Sequence, residues 1–121
     1  MDDIAQLARS YINAVGDRDL DPLDDLLDDG LVARFAGNQL DKNGWIAALR
    51  RLLPVLVRND IRNVFVDGDH ACVVYDFVTD TPTGAVTCVE LLTVHAGQIT
   101  SVELILDRVA FAPVNEALAS R

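Results

Sequence analysis

Apolar residues recur with helical spacing at the start of the chain and alternate through its second half. Ile4, Leu7, Ala8, Tyr11 and Val15 share one face of a helix over residues 4–15, with Gln6, Arg9, Ser10 and Asn13 mainly elsewhere. Gly16 and Asp17 supply its stop. A second, short helix is predicted from Asp21, whose carboxylate can cap the first turn, with Pro22 at the first helical position. Leu23, Leu26 and Leu27 form its apolar stripe, and Gly30 closes it. Leu31 to Ala36 predicts a strand, Gly37-Asn38 a turn, and Gln39 to Lys42 a short return strand. Asn43 is placed to cap a third helix, whose apolar face is Trp45, Ile46, Leu49, Leu52 and Leu53 and which Pro54 ends.

From Ile61 onward the period is that of a sheet. Strands are predicted over Ile61–Asp67, Ala71–Thr79, Val86–His95 and Ile99–Val109. They are separated by Asp67-Gly68-Asp69, by a loop over 80–84 with Pro82 and Gly84, and by Ala96-Gly97. Ala110 to Arg121, containing Pro113, reads as a poorly specified tail. Strands that follow one another without helical crossovers predict an α+β domain, not a parallel α/β one. The expected organisation is one domain over 1–121, with its core at about 4–108. Both parities of Ala71–Thr79 are largely apolar, so both sheet faces need cover. Helices can cover one. A second copy of the chain can cover the other, which predicts a homodimer.

Composition narrows the function. Half of the 121 residues are hydrophobic (50%), which excludes wholesale disorder. The net charge is -9, and residues 1–30 alone hold nine aspartates against Arg9 and Arg18. A chain so acidic is not expected to bind nucleic acid or an anionic membrane surface. Leucines interleave the aspartates, so the acidic stretch reads as a solvated helical surface. Met1-Asp2-Asp3-Ile4 has no basic n-region, and no apolar run approaches the roughly 20 residues that span a bilayer. Cys72 and Cys88 make no disulfide framework, and a cytoplasmic location is expected.

The sequence holds no glycine-rich phosphate loop, no paired-histidine motif, no Cys-x-x-Cys and no nucleophile elbow. No metal or cofactor is therefore expected. The misplaced residues are carboxylates within apolar strands, Asp76 in Val73–Val78 and Glu90 in Cys88–Leu92. These segments flank a hairpin loop and are expected to be neighbours. If both carboxyls face one cavity, burial and mutual repulsion raise one pKa and suit it to proton transfer. The plainer reading is that each lies at a sheet edge or pairs with Arg34 or Arg62. Tyr11, likewise, reads either as a site residue or as a core aromatic with a satisfied hydroxyl.

Three stretches resemble the nuclear transport factor 2-like superfamily, in particular its SnoaL-like polyketide cyclase and ketosteroid isomerase branches. They are Ser10–Val15 with Asp17-Arg18-Asp19-Leu20-Asp21, then Leu26-Leu27-Asp28-Asp29-Gly30-Leu31-Val32, then Gly97-Gln98-Ile99-Thr100-Ser101-Val102. The resemblance covers about Ile4 to Arg108. It implies a curved, mostly antiparallel sheet wrapped around N-terminal helices, a cone with an apolar pocket. It also implies a small apolar ligand, and possible activity as a cofactor-free isomerase, cyclase, dehydratase or hydrolase. A non-catalytic ligand-binding or dimerisation module of the same fold is the alternative. Under the resemblance, Tyr11 and protonated Glu90 donate to an oxyanion and Asp76 moves the proton. Arg34, standing where the isomerases have their catalytic aspartate, orients the substrate. Trp45, Val74, Leu92 and Leu104 are expected to line the substrate site.

Overall fold

Hairpins with tight, left-handed turns organise most of the chain. The computed structural model describes residues 3–121. Its helices are α1 (Ile4–Gly16), α2 (Leu23–Leu26), α3 (Lys42–Leu52) and α4 (Arg108–Ala119). Its strands are β1 (Leu27–Phe35), β2 (Asn38–Leu40), β3 (Leu56–Asp67), β4 (His70–Thr79), β5 (Ala85–His95) and β6 (Gln98–Leu106). The six strands form one sheet in the order β2-β1-β6-β5-β4-β3. Only β1 and β6 pair in parallel among these neighbours; the other pairs are antiparallel. The fold is thus α+β with a curved, unclosed, mostly antiparallel sheet.

The turns explain the hairpins. Ala36-Gly37 and Ala96-Gly97 carry positive φ at both central residues, 53° and 81° in the first, 51° and 79° in the second. That geometry matches the right-handed twist of the strands it joins. Register shifts in β3, between Leu56 and Arg58 and between Ile61 and Asn63, add an unpaired residue each and bend the sheet. The concave face receives α1 and α3. At the end of α1, a Cβ on Gly16 would sit 2.8 Å from the backbone nitrogen of Asn59, so the helix reaches β3 only because that residue is glycine. Tyr11, Ile12, Leu23, Leu27, Val73 and Val102 are among the fully buried core residues.

Three sequence expectations are corrected. The second helix does not run to Gly30: it stops at Leu26, and Leu27 begins β1. Asp28 accepts a hydrogen bond from the Gly30 N–H at 2.8 Å, an alternative to helical bonding. Lys42, expected to end the return strand, instead opens α3, which Asp41 and not Asn43 caps by accepting from the Gly44 N–H at 2.8 Å. The Lys42 ammonium is nearly buried and bonds the Asp24 carbonyl at 2.8 Å and the Asp29 carboxylate at 3.1 Å. It pins part of the acidic stretch to the body of the fold.

The third correction is the tail, which is a helix. Asp107 caps α4 by accepting from the N–H groups of Val109 and Ala110. Phe111 and Val114 are buried, and the Phe111 ring lies 6.1 Å from that of Phe77. Arg121 ties the far end by a two-point contact with Asp80 and a bond to the Pro54 carbonyl at 2.7 Å. Capping and burial outweigh the hydrogen bond that Pro113 forgoes. We therefore expect Phe111→Ala to destabilise the protein by about 3 kcal/mol in urea unfolding. An unchanged midpoint would place α4 outside the cooperative core.

Candidate functional site

The concave face of the sheet, α1, α3 and α4 line a partly open cavity of about 130 Å³. Its walls are almost wholly apolar. Phe35 and Leu104 come from the β1–β6 side, Trp45 and Leu49 from α3, Phe77 from β4 and Phe111 from α4. At the α3–α4 edge, Arg51 Nη2 donates to Asn115 Oδ1 at 3.2 Å. The volume is close to the roughly 150 Å³ of an apolar cavity known to accept benzene, so a single ring fits in this conformation.

Glu90 is the one carboxyl among the described residues that line this cavity. It is only 2% exposed. Tyr75, on the neighbouring strand, donates its hydroxyl to Glu90 Oε1 at 2.6 Å. Behind them Trp45 Nε1 donates to the Tyr11 hydroxyl oxygen at 3.0 Å, which leaves the Tyr11 hydrogen free to point elsewhere. That hydroxyl favours the charged form of Glu90 without closing a hydrogen bond to Oε2, which has no partner in the protein. Burial dominates: it pushes the Glu90 carboxyl up to about 7, against the opposing effect of the Tyr75 and Tyr11 hydroxyls. Burial, then the nearby Glu90 charge, pushes both tyrosines well above the ordinary phenol range. Cys88, also on the wall, is pushed up to about 12 by burial, so its thiol stays protonated and unreactive.

The structure separates the expected residues. Glu90, Trp45 and Leu104 line the cavity. Tyr11 belongs to the same polar cluster but lies behind the wall, fully buried. Asp76 does not join Glu90. In the β4–β5 hairpin, Val73 faces Glu90 and Asp76 faces Thr87, so partners have opposite sequence parity. The even-numbered Glu90 therefore shares its face with Val73, Tyr75 and Phe77, and Asp76 is on the outer face. There it accepts from Thr87 Oγ1 at 2.9 Å and pairs with Arg62 at 3.6 Å, the plainer of its two readings.

Arg34 is exposed on the outer face beside Glu103, because its inward neighbours in β1 are Ala33 and Phe35. Val74 shares the outer parity of Asp76. Leu92 points inward but is packed in the core away from the cavity wall. Four polar residues of the cavity went unread in the sequence: Tyr75, Asn59 and, at the α3–α4 edge, Arg51 and Asn115. The hairpin register would have found Tyr75. Asn59 lies in β3 before the predicted strand begins, and only its approach to α1 reveals it.

A curved sheet closed over an apolar cavity by N-terminal helices defines the nuclear transport factor 2-like fold. The chain belongs to the SnoaL-like domain family, whose sequence profile matches residues 8–102. Among solved structures, it is similar to a protein of Kribbella flavida DSM 17836 at 27% identity and TM-score 0.83, covering 97% of each chain. It also resembles a protein described as a SnoaL-like polyketide cyclase from Jannaschia sp. CCS1, at 20% identity and TM-score 0.74, covering 90% of this chain and 88% of that one. A third relative in fold, described as a ketosteroid isomerase from Kribbella flavida DSM 17836, has 16% identity and TM-score 0.75, with 86% and 77% covered. No protein among those with curated descriptions matches the sequence.

Burial of Glu90 has a signed consequence for stability. An acid whose pKa rises from 4.5 to about 7 on folding binds more protons folded than unfolded between those values. Stability should therefore fall as pH rises from about 4.5 to 7, by roughly 3 kcal/mol in all. Glu90→Gln should remove that slope, which paired thermal melts of the two proteins across this range would reveal. Parallel pH curves would mean that Glu90 does not titrate this way.

Proposed function

We propose that the protein binds a small, largely apolar molecule in this cavity and that Glu90 moves a proton on it, without a cofactor. The observation that carries the reading is a buried carboxyl at the wall of an apolar cavity, with one oxygen unpartnered and a pKa of about 7. At neutral pH both its acid and its base form are populated, as proton transfer requires. The carboxylate takes a proton from carbon next to a carbonyl, leaving an enolate and a neutral carboxylic acid. Returning that proton to the same or another carbon restores both, so one carboxyl completes an isomerisation. Tyr75 holds Oε1 in place, and Tyr11, pinned by Trp45, braces the carboxyl from behind.

The test is exchange of the α-protons of cyclohexanone in heavy water, followed by proton NMR. The wild-type protein should accelerate it, and Glu90→Gln should lower the protein-dependent rate about 100-fold. Equal rates in the two proteins would remove Glu90 from the chemistry and leave a binding module.

We further propose that the outer sheet face joins two copies of the chain. Phe65, Leu91 and Ile105 are 58%, 41% and 50% exposed there. The charges around them nearly balance, with Arg34, Arg58 and Arg62 set against Asp60, Asp67, Asp76 and Glu103, although the whole chain carries -9. Two such faces can meet without the repulsion that the acidic N-terminal region would impose. Sedimentation equilibrium should give twice the mass of the chain, and Leu91→Lys should reduce it to one. A wild-type monomer at 100 µM (about that concentration suffices for a dimer of micromolar affinity) would refute the interface.

A further inference from the structure

The cavity has a second polar anchor, on the same concave face of the sheet as Glu90 but two strands away. Asn59 stands on β3, two strands from β5 with β4 between them. Its Nδ2 donates to the Ile12 carbonyl at 3.1 Å. That contact fixes the amide: the atom facing a carbonyl oxygen must be the nitrogen, since two oxygens would repel. The other atom, Oδ1, is then aimed away from α1. It is buried and has no partner in the protein, and Asn59 lines the cavity. The backbone cannot relax this arrangement, because Gly16 packs directly on the Asn59 main chain.

An amide oxygen only accepts hydrogen bonds. Unlike Glu90, it does not change role with pH. A ligand that offers only carbonyls, ethers or alkyl groups leaves Oδ1 unsatisfied, and one that offers an O–H or N–H satisfies it. The volume sets the frame that carries this group, a single ring.

We infer that Asn59 is the specificity-determining residue of this cavity, selecting single-ring molecules that bear a hydroxyl or N–H donor. The inference rests on the cavity being a ligand site, as proposed above, but not on Glu90 being reactive. It assigns the two anchors separate work: Glu90 faces the group whose proton moves, and Asn59 recognises a donor elsewhere on the ring.

The probes are p-cresol and p-xylene, which share a shape and differ by one donor. Isothermal titration should show the wild-type protein binding p-cresol about tenfold more tightly than p-xylene. Asn59→Leu should abolish that preference while retaining p-xylene, and Glu90→Gln should keep it. As a check free of mutation, the Asn59 side-chain amide resonances should shift with p-cresol and stay still with p-xylene. The inference falls if Asn59→Leu keeps the preference and the amide signals do not move. Loss of the preference in Glu90→Gln alone would also overturn it, while leaving the Glu90 reading intact. If neither compound binds the wild-type protein, the ligand site itself is refuted, and this inference with it.

Discussion

A carboxyl group taken out of water must be neutralised, paired or hydrogen-bonded, and Glu90 meets that demand only in part. Among the described residues no lysine or arginine forms an ion pair with it. Two tyrosine hydroxyls face it, one bonded and one held back by the Trp45 indole. The aromatic residues on three different elements, α1, α3 and β4, are thereby tied to a single side chain on β5. Removing the demand would leave the Tyr75 hydroxyl unsatisfied in turn. In this polar cluster the interior of the fold is specified by hydrogen bonding as well as by volume.

The packing around it follows simpler rules. Curvature comes from irregular pairing in β3, close approach of α1 from a missing Cβ at Gly16, and cover over the cavity from Phe111 on α4. The excess negative charge lies mostly in the first 30 residues, where Lys42 holds part of it and water solvates the rest. Neither the cavity nor the outer sheet face carries that excess. The acidic composition therefore bears on solubility and partners, and leaves the chemistry of the interior to local groups.

Much of this was legible beforehand. Apolar periodicity gave α1, α3 and the four strands of the second half, and the resemblance in three short stretches gave the architecture. Glu90 stood out as a carboxyl on an apolar parity. What the chain did not disclose was register. Asp76 and Glu90 are equally odd in sequence, but a hairpin whose partners differ in parity sends them to opposite faces. Arg34 failed for the same reason at Ala33 and Phe35. The terminal helix was hidden because Pro113 is a local signal, whereas Phe111 and Val114 are stabilised by contacts that only the closed sheet provides. Asn59 was hidden because its meaning lies in a carbonyl on another element.

The solitary carboxyl also fixes direction. Under the proposed chemistry, with Glu90 the one carboxyl that lines the cavity among the described residues, a proton removed from a ring leaves on the Glu90 side and returns from that side. A transfer from one carbon to another in this cavity is then suprafacial, with no second acid to deliver to the far face. The geometry of a single buried side chain would be written into the stereochemistry of the product.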